Sequence, residues 1–394
     1  MPGRNVDQQL ANMRFSTLAA GLPLVAAAPQ GHSFKQQANS TGKSLILDQA
    51  PETSQPYALR KGSGRAVAVG EQVYRFSVTG NSSAGAFTLM QTNAPDSSDL
   101  GVLPHIHKAH YENFYCTKGQ IQLWAKTNSS GEQARVLTPG DYGAVPHNTV
   151  HTFQITDPDT QLTGVIQPGG FEELFIAIAN SDFVSPTGSE FVPAASNGSS
   201  SGSDPALISA LEAFDVYAQL DFNPRRDLVN GSAGGANTWH TAANTLAPDA
   251  VTPNFVAKNR GPKYLNADGG VYHLVAPFAT ANQTASNFTM GTVTLSPLLS
   301  NQTATKANLG QPLAFQLEEG SLEVAVEGYD AVTLIQGDVV FVPANVAFTY
   351  TASSAFTKFL YVSGGGDGFD YQLLQRAIPW SYATYPIDAG FTVQ

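Results

Sequence analysis

The sequence predicts an all-β protein made of two copies of one barrel or sandwich domain. From about residue 65 the chain is a series of short β-rich runs separated by turn residues. Charged residues make up only 13% of it, while Gly, Ser, Thr, Asn and Pro are abundant. The second half then repeats the first at a nearly constant separation. At 394 residues the chain exceeds the usual size of one domain, so two are expected.

The N-terminus reads as a targeting segment. Met13-Arg14 opens a short apolar run that ends in Ala26-Ala27-Ala28, the pattern of a secretory signal and too short to span a bilayer. Met13 is the expected start, with cleavage near Ala28 to Gln30. Eight Asn-x-Ser/Thr sequons, at Asn39, Asn81, Asn128, Asn197, Asn230, Asn282, Asn287 and Asn301, fit a secreted, extracellular glycoprotein. The single cysteine, Cys116, lies inside an apolar strand and reads as a buried structural thiol. A net charge of −11 with no basic run argues against nucleic acid and anionic membrane as partners.

Predicted strands follow at Val67–Val69, Val73–Val78, Ala86–Met90, Asn113–Cys116, Gly119–Ala125, Phe153–Ile155 and Leu174–Ile178, with a turn at Thr138–Asp141. Residues 185–244 read as a connection. Ser196–Ser203 is its Gly/Ser-rich part, and a helix capped by Asp204 starts at Pro205, with Leu207, Leu211, Phe214 and Ala218 on one face. The expected organisation is therefore an extension and signal peptide over 1–30, a first domain over 31–184, the connection over 185–244 and a second domain over 245–394. The apolar stretch Pro379-Trp380-Ser381-Tyr382 makes a homodimer plausible.

The repeat pairs Val73-Tyr74-Arg75 with Val271-Tyr272-His273, Phe87–Leu89 with Phe288–Met290, Lys118–Ile121 with Glu319–Leu322, and Gly140–Asn148 with Gly337–Asn345, at separations of 197 to 201 residues.

Five of the eight histidines fall between 105 and 151. His105 and His107, two apart in an extended strand, project to the same side. Glu112 follows, and His151 closes the run after Gly140. Three imidazoles and a carboxylate form a first-row transition-metal ligand set. At the repeat separations, His105 falls on Lys306, His107 on Asn308, Glu112 on Leu313 and His151 on Phe348. The second copy is expected to keep the framework and lack the site. His110 and His147 lie off the metal-facing parity, and His32, His240 and His273 have no evident partners.

The pattern His105-x-His107-x4-Glu112-x6-Gly119, then Gly140-x5-Pro146-x-Asn148-x2-His151, resembles the two motifs of the cupins, implying duplicated jelly-roll barrels. The usual glycine of the second motif is Asn148 here, and its final asparagine is Ile155. Phe114 shares parity with Glu112, and Phe153 with His151. Tyr74, Met90 and Ile166 are candidates for the rest of an apolar wall that suits a flat aromatic ligand. The only arginine between 86 and 166 is Arg135, which counts against a small dianion such as oxalate.

In this detail the chain resembles the fungal quercetin 2,3-dioxygenases, secreted bicupins with one site per chain. The resemblance implies copper held in the first domain by His105, His107, Glu112 and His151, with Glu112 also acting as a base. It implies O₂-dependent cleavage of the flavonol heterocycle, with release of carbon monoxide and a depside. The alternatives are a germin or oxalate-type manganese enzyme and a non-catalytic storage or binding bicupin.

Overall fold

The computed structural model describes residues 42–184, 209–233, 238–298, 302–382 and 385–386. The expected signal segment, Ser196–Ser203, the helix start at Asp204, Pro205 and Leu207, and the sequons Asn39, Asn197 and Asn301 lie outside the described residues. No helix among the described residues is long and apolar enough to cross a membrane.

Each half is a pair of packed, mainly antiparallel sheets. In the first, an eight-stranded sheet carries Gln72–Val78, Thr88–Ala94, Thr160–Gln167, Tyr111–Lys118 and Tyr142–Val145. A seven-stranded sheet carries His105–Ile106, Val150–Ile155, Ile121–Thr127 and Gly131–Leu137. Side chains of alternate parity from both sheets, among them Phe114, Cys116, Leu123, Phe153 and Leu162, form the barrel interior.

The opposite parity is buried as well, because the two barrels share a core. Tyr111, Tyr115, Tyr142 and Val165 of the first half pack with Phe278, Phe288, Phe341 and Leu360 of the second. The Tyr142 ring stacks on Phe278 at 4.9 Å, and its hydroxyl donates to Asn113 Oδ1 at 2.6 Å. Strands buried on both faces explain the near-continuous apolar runs. Each large apolar side chain so buried contributes about 1.5–3 kcal/mol relative to exposure.

The barrels also exchange strands. Tyr57–Leu59, from the start of the chain, pairs with Val339–Val342 of the second barrel. Asn254–Val256, from the start of the second half, pairs with Tyr142–Val145 of the first. The exchange is reciprocal in detail, since Tyr57 faces Phe341 and Asn254 faces Ala144. Each partnership is locked by a buried aspartate. Asp141 accepts from the backbone N–H of Lys258 (2.7 Å) and of Thr138 (2.8 Å), the Thr138 hydroxyl (2.9 Å) and His240 Nε2–H (2.7 Å). Asp338 likewise accepts from the N–H of Lys61 (2.9 Å) and Ile335 (3.0 Å) and from Arg60 (2.6 Å). Gly140 (φ +96°) and Gly337 (φ +89°) precede them, where a Cβ would lie 2.6 Å from the Lys258 and Lys61 side chains.

Several expectations are corrected. Leu174–Ile178 is not a strand but part of a helix, Glu172–Ile178, whose first carboxylate accepts from Gly80 N–H (2.7 Å) and the Thr88 hydroxyl (2.5 Å). A five-residue apolar run cannot carry the period that separates the two structures. The connecting helix ends earlier than its apolar face implied. A 3₁₀ turn spans Glu212–Phe214, Asp215 takes the left-handed conformation (φ 64°), and Ala218 lies in the strand Tyr217–Ala218. In the C-terminal apolar stretch Trp380 packs against Leu265 and Tyr272 of its own chain, while Pro379, Ser381 and Tyr382 are exposed.

Removing the buried Asp141 carboxylate leaves four part-buried donors without their acceptor. Asp141→Ala should lose about 3–5 kcal/mol of stability. A urea unfolding midpoint equal to the wild-type value would contradict this account of the exchange.

Candidate metal centre

The four residues singled out by spacing come together. One nitrogen each of His105, His107 and His151 and one oxygen of Glu112 lie within 4.8 Å of one another, and all four residues are buried. The sheet registers place them. His105 and His151 are direct partners across adjacent strands. Glu112 sits on Tyr111–Lys118, between Val145 and Ile166.

Every imidazole is oriented from behind by a backbone carbonyl. The Nδ1–H of His105 donates to Leu103 O (2.8 Å), that of His107 to Asp215 O (2.8 Å), and that of His151 to Thr149 O (2.9 Å). This fixes the tautomer and leaves each Nε2 lone pair facing inward. His105 Nε2 then lies 3.2 Å from His107 Nε2, and Glu112 Oε2 lies 2.8 Å from His151 Nε2 and 3.3 Å from His107 Nε2. Lone pairs at these distances repel unless a proton or a cation sits among them. A metal cation satisfies all four groups at once, so the donor set fits one.

The charges agree. Burial pushes the His105 imidazole well below its usual range, helped by His151 and His107. Burial works against His107 too, but the Glu112 carboxylate and the Asp215 carbonyl outweigh it and raise that imidazole. Burial alone would raise the Glu112 carboxyl, yet with a proton shared onto Nε2 of His107 and His151 their hydrogen bonds hold it well below the usual carboxylate range. Glu112 is therefore ionised at neutral pH.

The candidate pocket residues fall into two buried apolar clusters. Phe114 and Phe153 meet edge to face with centroids 5.8 Å apart. The loop before His105 presses on Phe153, where a Cβ on Gly101 would fall 2.3 Å from the ring. Tyr74, Met90 and Ile166 belong to the other cluster with Phe171, Leu174, Phe175, Leu211 and Val216. Tyr74 stacks on Phe175 at 4.0 Å, and Phe171 meets the His107 ring edge-on at 5.1 Å. Sequence reasoning missed Phe171, Phe175, Leu211 and Val216, which no strand parity connects to the ligands.

The remaining assignments divide. Cys116 is buried and its thiol is pushed up to about 12, as an inert structural residue requires. His110 donates from Nδ1 to Asp215 Oδ2 (2.8 Å), and His147 lies against the Tyr111 ring at 3.9 Å. His240 is bound to Asp141, and His273 pairs with the Tyr350 hydroxyl at 3.0 Å. Arg135 lies over the rings of Trp239 and Phe255. Asn148 has φ +56°, so asparagine occupies a left-handed position where the motif usually has glycine. Asn81, Asn128, Asn230, Asn282 and Asn287 are all exposed.

Among the described residues the second barrel has no such cluster, and its registers refine the mapping. Phe348, the counterpart of His151, faces Ala307 rather than Lys306. Asn345 N–H donates to Leu309 O just as Asn148 N–H donates to His107 O, both at 2.7 Å. His105 and His107 therefore correspond to Ala307 and Leu309, a separation of 202, because the turn before Leu313 is one residue shorter than that before Glu112. Similarly, the bulged pairings Phe76↔Met90 and Pro277↔Gly291 align Tyr74 with Val275 rather than Tyr272. None of these counterparts is a ligand. Leu313 and Phe348 are fully buried.

Where the first barrel has Gly164 and Leu162, the second has Tyr361 and Phe359, aligned through their pairing with Phe114 and Phe315. These rings join Phe315, Phe348, Tyr350 and Phe369 in one aromatic cluster that fills the interior. Gly164, between Met90 and Phe114, carries no ring at that place, and a Cβ there would lie 3.2 Å from the Met90 side chain. Gly164→Val should therefore raise the KM for a ring-shaped substrate about tenfold or more while leaving metal content unchanged. An unaltered KM would remove Gly164 from the pocket.

No protein-family model matches the chain. It is 49% identical over 348 residues to the quercetin 2,3-dioxygenase of Aspergillus japonicus, spanning 88% of this chain and 99% of that protein. It is 30% identical over 171 residues to the quercetin 2,3-dioxygenase of Bacillus subtilis, spanning 43% of this chain and 46% of that one. Among solved structures, the oxalate decarboxylase of Lactobacillus farciminis overlaps 84% of this chain and 90% of its own with a TM-score of 0.48 at 12% identity.

Proposed function

The chain belongs to the quercetin 2,3-dioxygenases, and from that premise we propose that it is a copper-dependent enzyme cleaving the heterocyclic ring of flavonols with O₂. Carbon monoxide and a depside are the proposed products. The observation that carries this reading is the contrast between the barrels: a buried three-His, one-Glu donor set with two apolar clusters in one, and an aromatic filling in the other.

His105, His107, His151 and Glu112 would hold the metal. Cu(II), when bound, supplies a Lewis acid that acidifies the flavonol 3-hydroxyl and accepts electron density from the deprotonated substrate. Copper rather than another divalent ion rests on the affinity order for nitrogen donors and on the family. The chain's residues do the rest. Glu112, ionised and close to two ligand nitrogens, takes the 3-hydroxyl proton on a carboxylate oxygen free of the metal as the substrate enters. Phe114 and Phe153 on one side, and Tyr74, Met90 and Ile166 on the other, sandwich the flat rings and exclude water from the reacting carbons. The exposed sequons, together with the leader-like N-terminal sequence, support an extracellular glycoprotein acting on a small molecule. Neither nucleic acid nor membrane is proposed as a partner, given the charge of −11.

Anaerobic mixing of the metal-loaded protein with quercetin should shift the flavonol absorption band. Admitting O₂ should then bleach it and release carbon monoxide. If neither happens with metal fully loaded, the reading fails. His107→Ala should abolish metal binding, whereas Glu112→Gln should retain most of the metal and lose about 10²–10⁴ in kcat. Wild-type turnover by Glu112→Gln would remove its role as base.

A further inference from the structure

The segment between the barrels takes part in the metal centre. After the 3₁₀ turn Glu212–Phe214, Asp215 enters the left-handed region and thereby points both its carbonyl and its carboxylate at the ligand turn. The carbonyl accepts Nδ1–H of His107 at 2.8 Å. The carboxylate accepts the backbone N–H groups of Lys108 (2.9 Å), Ala109 (2.8 Å) and His110 (3.0 Å), and Nδ1–H of His110 (2.8 Å). One residue, more than a hundred positions along the chain, thus grips the whole turn from His107 to His110. We propose that Asp215 is a positioning residue of the metal centre, aiming His107 and making site assembly depend on the docking of the interdomain segment.

Its surroundings make the grip rigid. Tyr217 and Ala218 pair with Ile106 and His105, and Gln219 N–H donates to Pro104 O at 2.7 Å. Lys108 Nζ lies 3.4 Å from the centre of the Tyr217 ring. Leu211 and Val216 are buried with Tyr74 and Met90. The duplication supplies a comparison. In the second barrel the strand Ala307–Asn308 stands at the edge of a four-stranded sheet, with nothing paired to its outer side among the described residues. Leu309, at the place of His107, needs no aiming. The extra strand occurs where there is a ligand to orient.

The proposal rests on the metal-centre reading, and titration of the metal-free protein with Cu(II) alone separates the two. The dissociation constant and the electron paramagnetic resonance spectrum of the loaded protein are measured for wild type, Asp215→Gly and Asp215→Asn, with the thermal midpoint of each metal-free form. Glycine keeps the left-handed backbone and the carbonyl but removes the carboxylate. Asparagine keeps one oxygen acceptor. Affinity should fall by about 10–100-fold in Asp215→Gly with a changed spectrum, and by less in Asp215→Asn. Failure of wild type to bind Cu(II) would refute the centre itself. Wild-type binding with wild-type affinity and spectra in both variants would refute the role of Asp215 alone. Should Asp215→Gly not fold, Asp215→Asn decides: unchanged affinity and spectrum overturn the proposal, and weaker binding with an altered spectrum supports it.

Discussion

The hydrogen bond from an imidazole Nδ1–H to a backbone carbonyl is the interaction on which the site depends. A neutral histidine offers one donor and one acceptor, and burying either unpaired is costly. Giving the donor to Leu103, Asp215 and Thr149 uses up the outward nitrogen of each ring. The inward nitrogens, crowded with Glu112, are then left with a requirement that only a proton or a cation can meet. Three carbonyls on three different parts of the chain must be in place for this, so the loop before His105, the turn before His151 and the segment between the barrels are all committed to the chemistry.

The two barrels show what that commitment costs in packing. Both inherit the same ladder, the same glycine-aspartate turn and the same short helix with a buried acid, Glu172 in one half and Asp370 in the other. They differ in what fills the middle. Tyr361, Phe359 and Phe348 give the second half a dense aromatic interior, which is what a barrel of this size adopts when nothing has to enter. In the first half Gly164, Leu162 and His151 occupy the same places. The first half thus has none of those three rings and carries a buried polar donor set instead.

Much of this was legible in the sequence. The ligands could be found because strand parity is a fixed period of two and because the sister copy lacks them. Phe114 and Phe153 followed from the same parity. Asp215 could not be found that way: its contact with His107 is set by a left-handed turn between Phe214 and Val216, and no spacing rule relates it to a residue more than a hundred positions earlier. Leu174–Ile178 was misread because a run of five apolar residues looks the same in a helix and in a buried strand. The repeat points to Tyr272 rather than Val275 because the shared Val-Tyr pair is visible in the sequence and the bulge that sets the true register is not. The crossing of Tyr57–Leu59 into the far barrel was equally invisible, since an exchanged strand has the composition of an ordinary one.

That crossing bears on how such a chain arises. Because Tyr57–Leu59 serves the second barrel as Asn254–Val256 serves the first, neither barrel is closed by its own arm. A polypeptide holding one barrel and one such arm would reproduce this pairing by lending the arm to a second copy and borrowing one in return. The geometry is that of a swapped homodimer joined into one chain. Once joined, the two copies are free to diverge, and one can become scaffold while the other keeps a reactive interior.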